Sequence, residues 1–327
     1  MRNCSLRLFL TLVFISHFLN FSFSQSLTLV ELNCENLFDT RHDSLKQDQE
    51  YLPEAVRHWT DKRYWRKLNN IGQELLSTCS DGVPDLVALC EVENDSVLND
   101  LCHRSLLRNA DYEYVMTQSP DLRGVDVALL YQPMTFALDT AFALRVEPVA
   151  DMRPTRDILY ASGRVISGDT LHIYVVHAPS RYGGERHSRP FRQAVARRLC
   201  QSLDSLRSLS PQAHVLIAGD FNDSADSPAL QQLEKHGLRN LTREAEGENG
   251  ARGTYRYQGE WGSLDHVFGS PTIVSFINSV FIHAPLFLLE KDSQYGGWRP
   301  RRTYNGMRYQ LGYSDHLPLV VRLRLQP

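Results

Sequence analysis

The sequence predicts an α/β domain in which two mixed β-sheets are covered by helices. Three observations carry this. Strand-like and helix-like segments alternate along nearly all of the 327 residues. Some consecutive strands are joined by tight turns and others across a helix, which mixes antiparallel and parallel pairing. No linker-like stretch divides the series and no fixed-period repeat is present, so one domain is expected.

Residues 27–34 (LTLVELNC) alternate and are rich in β-formers, which predicts the first strand. Thr60 and Asp61 then start a helix whose Tyr64, Trp65, Leu68, Ile71 and Leu75 share one face. Residues 85–91 (DLVALCE) form a nearly continuous apolar run, which suits a strand buried on both faces. A helix over 95–107 and strands near 112–117 and 125–131 follow. Residues 156–167 and 170–178 flank Gly168-Asp169 and read as a hairpin. A long Arg-bearing helix runs from about Ser188 to Leu209. The strand 213–220 (AHVLIAGD) precedes a short helix near 228–236. Shorter strands fit 253–257, 264–268 and 280–283. A loop rich in Gly, Tyr and Arg spans about 290–313, and 317–325 (LPLVVRLRL) closes the chain.

Apolar residues make up 42% of the chain and charged residues 22%, which excludes a disordered or low-complexity protein. The formal charge of −3 argues against a protein that coats nucleic acid by charge alone, but not against a local phosphate-gripping site. Arg2 and Arg7 precede an apolar run from Leu8 to Phe23, with Ser22 and Ser24 in the small-x-small pattern of a cleavage site. Residues 1–24 therefore read as a secretory signal peptide, and 25–327 as the mature domain, periplasmic or secreted. A membrane anchor is the alternative, but the run is short for a span and is interrupted by Ser16, His17 and Asn20. Cys34, Cys79, Cys90, Cys102 and Cys200 remain after cleavage. Their odd number and spacing give neither a disulfide framework nor a zinc site. They read as mostly buried small apolar residues, with room for one disulfide that the spacing does not choose.

Polar residues cluster where the apolar strands end. The first strand ends in Asn33, Glu35 and Asn36, and 85–91 ends in Glu91 with Glu93 and Asn94 beyond. The strand 213–220 ends in Asp220, Phe221, Asn222 and Asp223. His177 closes a strand, and Asp315 and His316 stand at the mouth of the last one. Acids and Asn after strands commonly cap turns, so any one of these segments alone reads as a cap. Five together, with the dipeptides Asp265-His266 and Asp315-His316, point to a site at strand ends. Hard oxygen donors there suit Mg²⁺ or Mn²⁺.

With these motifs the chain resembles the endonuclease/exonuclease/phosphatase superfamily, and within it secreted members of Bacteroidetes type. The carrying segments are LNCENLFD (32–39), LCEVEN (89–94), GVDVALLYQP (124–133), VVHAPSR (175–181), IAGDFND (217–223), SLDHVFGS (263–270) and YSDHLPLVV (313–321). The resemblance implies a deoxyribonuclease-I-like, four-layer α/β sandwich: two mixed, mainly antiparallel sheets face to face, with helices outside. It implies Glu91 as the acid that holds catalytic Mg²⁺, with Asn33 and Asp315 beside it. Asp220 and Asn222 match the pair that orients nucleophile and phosphate. His316 matches the terminal-motif histidine, Asp265 its acid partner, and His177 the histidine that meets the phosphate from the other side. Two positions depart from the family: Cys90 stands where Gln is frequent, and His266 where Tyr or Gln is. A packed, hydrogen-bonded role is expected for His266.

The residue types fit the chemistry. Phosphoester hydrolysis needs charge neutralisation, a placed water and a protonated leaving group. The expectation is an exported, Mg²⁺-dependent phosphoesterase, nuclease-like first, with a small-molecule or lipid phosphatase or phosphodiesterase second and a catalytically silent binding module third. Arg181, Arg302, Tyr304 and Tyr309 fit phosphate gripping and ring stacking. Small or short phosphate esters are favoured over non-specific duplex binding, with DNA and RNA retained as substrates. A monomer without membrane insertion is expected once the signal is removed.

Overall fold

The structure, a computed structural model, describes residues 25–325. The expected signal peptide lies outside the described residues. The chain runs β1 (Gln25–Leu37), α1 (Asp61–Leu76), β2 (Leu86–Val92), α2 (Asp95–His103), β3 (Glu113–Met116), β4 (Asp126–Tyr131), β5 (Phe136–Leu144), β6 (Ile158–Val165), β7 (Thr170–His177), α3 (Glu185–Leu209) and β8 (His214–Asp220). It continues through α4 (Pro228–Lys235), β9 (Arg239–Asn240), β10 (Tyr255–Tyr257), β11 (Glu260–Gly262), β12 (Asp265–Gly269), α5 (Pro271–Val274) and β13 (Ile277–Ile282). It ends with β14 (Leu289–Lys291), β15 (Trp298–Pro300), β16 (Tyr304–Asn305), β17 (Arg308–Tyr309) and β18 (Leu319–Leu325).

Two six-stranded sheets result, ordered β13-β18-β1-β2-β4-β3 and β5-β6-β7-β8-β12-β9. Each is antiparallel except for one central parallel pair: β1 with β2, and β7 with β8. Each parallel pair needs a long crossover, and α1 and α3 lie in those crossovers. The expected four-layer sandwich follows from side-chain alternation. Leu27, Leu29, Leu86, Ala88, Val127 and Leu129 of the first sheet pack against Leu159, Ile173, Val175, Leu216, Ala218 and Val267 of the second. The alternate residues Val30, Leu32, Val87 and Leu89 pack on Leu68, Ile71 and Leu75 of α1 and Val97 of α2. Tyr174, Val176, Val215 and Ile217 pack on Val195, Leu199 and Leu203 of α3 and Leu230 of α4. The central strands are therefore apolar on both faces, which is why they read as continuous runs.

Some elements differ from expectation. The second helix stops at His103 rather than 107, because the Ser105 hydroxyl bonds back to the Leu101 carbonyl and accepts the Leu107 amide, closing a turn. The long helix starts three residues early, at Glu185, after Gly183 and Gly184 turn the chain with φ of 79° and 101°. The loop 290–313 contains β15 and two short strands, β16 and β17, that pair with each other. The edge strand β5 has no counterpart in the sequence reading. Only its end residues Phe136 and Leu144 are buried, and its Ala and Asp are poor strand formers. All five described cysteines are free thiols.

Candidate active site

The alternation that fills the core also builds the site. Leu27 and Leu29 face the other sheet, and the same parity continues through Glu31 to Asn33 at the end of β1. On β7 the inward series Leu171, Ile173, Val175 ends in His177. On β8 the series Leu216, Ala218 ends in Asp220. Asp265 opens β12 two residues before inward-facing Val267. Apolar rows from both sheets thus finish in polar groups at one end of the sandwich. There Asn33, Glu91, His177, Asp220, Asn222, Asp315 and His316 line one cleft of about 570 Å³.

Local backbone features aim these groups. Gly219 has φ 148°, and a Cβ there would lie 1.9 Å from the Val176 carbonyl oxygen. Only glycine lets β8 approach β7 so closely, and it sets His177 opposite Asp220 in register. Glu91 sits in a β-bulge between Cys90 and Val92 with φ 63°, which turns its carboxylate out of the strand alternation and into the cleft. Cys90 faces the second sheet, and its thiol donates to the Val176 carbonyl at 3.2 Å.

The hydrogen bonds join residues far apart in sequence. Asn33 Nδ2 donates to Asp220 Oδ2 at 3.0 Å, and Asp220 also accepts from the Asn222 backbone N–H at 2.7 Å and from Asn222 Nδ2 at 3.3 Å. His316 Nδ1 meets Asp265 Oδ2 at 2.7 Å, and that oxygen also accepts from the Thr254 hydroxyl. His177 Nε2 lies 3.8 Å from both Glu91 Oε1 and Asp220 Oδ2, while its Nδ1 is buried without a hydrogen-bond partner among the described residues. Beneath them the Glu31 carboxyl is fully buried and equally unpartnered.

Burial separates the protonation states. It pulls His316 down, but the attraction of Asp265, Asp220 and Asp315 outweighs it and holds the imidazole well above its ordinary range. His177 is pushed well below its ordinary range by burial and by Arg156 and Arg123, so it is neutral. Burial and the nearby Asp265 charge push the Asp220 carboxyl up to about 7. Burial, reinforced by Asp265 and Asp220, raises Glu31 well above the ordinary carboxylate range. The cleft thus pairs a cationic histidine with a neutral one.

The expected metal residues Glu91, Asp315 and Asn33 all line this cleft, and the Asn33 amide oxygen accepts the Glu35 backbone N–H at 2.9 Å. Glu91 Oε2 accepts the Asn36 backbone N–H at 2.8 Å, and Oε1 faces Arg123 Nη2 at 3.4 Å. Asp315 accepts from Arg302 Nη2 at 2.7 Å. Each carboxylate faces a cation already, and this set suits a divalent cation of the Mg²⁺ or Mn²⁺ kind. Asp220, Asp265 and His316 also lie within 4.8 Å of one another. Two of them, His316 and Asp265, are hydrogen-bonded to each other, and Asp220 is held by Asn33 and Asn222.

The arginines and tyrosines divide. Arg181 lines the cleft but is tied to the Asn222 carbonyl at 3.1 Å and Asp223 at 3.2 Å. Arg302 lies on Asp315. Tyr304 is buried, and Tyr309 is half-buried in the same hairpin; neither lines the cleft. His266 is fully buried and bonded to the Asp223 carbonyl at 3.0 Å and to Asn240, a packed histidine. Sequence reading missed Arg123, Tyr255, Tyr257 and Trp261, which line the cleft. Arg123 immediately precedes the segment GVDVALLYQP, and the three aromatics stand within residues 253–262 (GTYRYQGEWG), of which the sequence showed only a short strand at 253–257.

Two facing six-stranded sheets, with acids, amides and two histidines gathered where their central strands end, define the α/β-sandwich phosphoesterase class. The chain belongs to the endonuclease/exonuclease/phosphatase family, whose model matches residues 28–325. No curated protein sequence matches it. Solved structures share the fold at low identity. An endonuclease/exonuclease/phosphatase family protein from Bacteroides thetaiotaomicron is 15% identical with a TM-score of 0.61, covering 91% of this chain and 98% of that one. A mannosyl-6-phosphatase from the same organism is 16% identical with a TM-score of 0.62, covering 91% and 100%. The human Nocturnin catalytic domain with bound sulfate is 19% identical with a TM-score of 0.55, covering 91% and 94%. No described helix is long and apolar enough to cross a membrane.

Proposed function

We propose that the chain is an exported, Mg²⁺-dependent phosphoesterase that hydrolyses small or short phosphodiesters or phosphomonoesters. The observation that carries this is the convergence of Asn33, Glu91, His177, Asp220 and His316 on one cleft, with Asp265 locked behind His316. The family supports phosphoester hydrolysis, and the neighbour named as a mannosyl-6-phosphatase supports keeping monoesters in the reading. Export rests on the N-terminal sequence pattern.

Glu91, with Asn33 and Asp315, would hold the cation, which when bound supplies charge neutralisation for the phosphoryl oxygens. Asp220 orients the attacking water and takes its proton, held in place by three amide hydrogen bonds. His316 stays protonated against Asp265 and donates to a phosphoryl oxygen. His177 is neutral with Nε2 toward the acids, so it offers a neutral N–H donor on the opposite side. Asn222 Nδ2 donates to the Ala178 carbonyl at 3.0 Å and fixes the loop after β8.

The test is a substrate and metal screen of the purified protein. p-Nitrophenyl phosphate, bis-p-nitrophenyl phosphate, short single-stranded DNA and RNA, and plasmid DNA are each incubated with Mg²⁺, Mn²⁺ or EDTA. Hydrolysis of small esters with Mg²⁺ and none with EDTA is expected. No turnover of any substrate would favour a binding module, and equal rates in EDTA would remove the metal.

A further inference from the structure

A buried ion pair stands behind the cleft wall, outside the groups that line it. Arg156 lies two residues before β6, and Asp121 lies in the loop between β3 and β4; they are 7% and 6% exposed. Each of the three Arg156 side-chain nitrogens has a separate partner. Nη1 donates to Asp121 Oδ2 at 3.1 Å, Nε to the His177 carbonyl at 3.2 Å and Nη2 to the Ala178 carbonyl at 2.8 Å. Arg156 therefore grips the backbone where β7 ends, at the residue whose imidazole enters the cleft.

Asp121 grips the other side. Its Oδ1 accepts the Arg123 backbone N–H at 3.2 Å, and its carbonyl accepts the Gly124 N–H at 3.2 Å. Lys46 Nζ donates to the Asp121 and Ser119 carbonyls, each at 2.8 Å, so the loop is clipped from outside as well. The neighbouring acids have other partners. Asp126 accepts the Thr117 hydroxyl at 2.6 Å and the Ser119 N–H at 3.0 Å, and Asp157 faces Arg145 at 3.6 Å. From this loop the Arg123 guanidinium enters the cleft, with Nη2 2.7 Å from Asn36 Oδ1 and 3.4 Å from Glu91 Oε1. His177 Nε2 approaches the same Glu91 oxygen at 3.8 Å. One ion pair thus ties together the backbone behind two side chains that meet at one carboxylate.

Stability alone does not account for such a pair. Desolvating both charges offsets most of their attraction, and apolar residues of similar volume fill a buried site equally well. Apolar residues cannot hold two strand-end carbonyls and a loop amide in a fixed relation. The planar guanidinium fork can, because its donors point in set directions.

We propose that Arg156 and Asp121 are positioning residues that couple His177 to Arg123, setting the neutral imidazole and the guanidinium at one phosphate position. Neither touches the substrate. The proposal rests on the phosphoesterase reading above and adds to it a control on two of its groups.

The test is a set of double-mutant cycles in the full chain. Calorimetry with inorganic phosphate reads the Arg123 side, and kcat on bis-p-nitrophenyl phosphate or p-nitrophenyl phosphate reads the His177 side. Asp121→Asn can offer its one amide oxygen to Arg123 or to Arg156, but not to both. It should weaken phosphate binding about tenfold in the wild type and less than about twofold where Arg123 is already Ala. Arg156→Lys keeps the charge and loses the fork. It should lower kcat about tenfold in the wild type and less than about twofold where His177 is already Ala. The double variant Asp121→Leu/Arg156→Met replaces the pair by apolar residues and guards against misfolding of the single variants. It should unfold at a denaturant concentration no lower than the wild type and still show both losses.

Equal losses in both backgrounds of each cycle would overturn the proposal, since a support for stability alone acts whether or not Arg123 and His177 are present. Wild-type phosphate affinity and kcat in the folded apolar double variant would overturn it too. Phosphate binding with a non-additive Asp121 cycle but no turnover of either ester sinks the hydrolase reading and leaves the positioning of Arg123 standing. Turnover with additive cycles does the reverse.

Discussion

The two ends of the sandwich differ in which residues they hold in the left-handed region. At the cleft end, Glu35, Asn36, Glu91 and Asn222 carry φ of 50°, 55°, 63° and 51°. At the far end, the turns before β2 and between β6 and β7 place Gly82 and Gly168 at 75° and 90°, where an added Cβ would touch nothing within 4 Å. A non-glycine residue in this region costs about 1 kcal/mol or more. The cleft end also buries Asp265, Asp220 and His316, whereas Leu27, Val165, Phe276 and Leu323 come together at the far end. Four of the left-handed non-glycine residues thus stand where side chains must be aimed at a ligand, although others occur elsewhere, as at Asp111 before β3 with φ 51°.

The largest expected effect is chemical and confined to the cleft end. Asp220→Asn and His316→Gln keep volume and should lower kcat by about 10²–10⁴ with an unchanged circular dichroism spectrum. Wild-type rates in both would place the chemistry elsewhere and break the contrast.

The second effect asks whether a buried acid outside the cleft is equally well compensated. Glu74 is fully buried in α1, neither carboxyl oxygen has a partner among the described residues, and burial pushes it up to about 8 from an ordinary 4.5. Its full stability contribution is present below 4.5. Between 4.5 and 8 the unfolded chain releases this proton and the folded one keeps it. Stability therefore falls by up to about 1.4 kcal/mol per pH unit. Glu74→Gln should raise the melting temperature at pH 8 and leave it unchanged at pH 4. No gain at pH 8 would show that the protein compensates this acid too.

A third, smaller effect concerns the cation that faces Glu91. Removing it with Arg123→Ala should tighten Mn²⁺ binding several-fold, since the carboxylate loses a competitor, and weaken inhibition by inorganic phosphate about tenfold. Parallel weakening of both would make Arg123 a support for Glu91 alone.

The smallest effect tests the strain itself. Gly168→Ala should cost about 1 kcal/mol with activity intact. At Glu91 the order inverts: Glu91→Gly should be more stable than Glu91→Ala by about 1 kcal/mol, both equally inactive. Denaturant unfolding of the four proteins reads both signs, and a more stable Ala at position 91 would remove strain from the account.

Much of the fold was legible because central strands buried on both faces announce themselves as apolar runs. β5 was not, since an exposed edge strand with two buried residues has almost no pattern. The loop 290–313 was not resolved into strands, because two-residue pairings leave no period to read. Asn33, Glu91, His177, Asp220 and His316 were legible as polar endings of apolar strands. Arg123 and the Tyr255–Trp261 hairpin were not, because they reach the cleft from loops and a small hairpin outside the two large sheets.

By itself, the sequence determined which strands are buried, that their ends are acidic, and that glycine stands before Asp220. Only the tertiary structure decided the partners. Asn33 meets Asp220 across 187 residues and His316 meets Asp265 across 51. Alternation along one strand shows which side chains share a face, but not what the other sheet sets opposite them. The bulge at Glu91 turns that residue by backbone geometry rather than by residue type. Distance, burial and charge compensation are properties of two sheets brought together, and they exist only once both are folded.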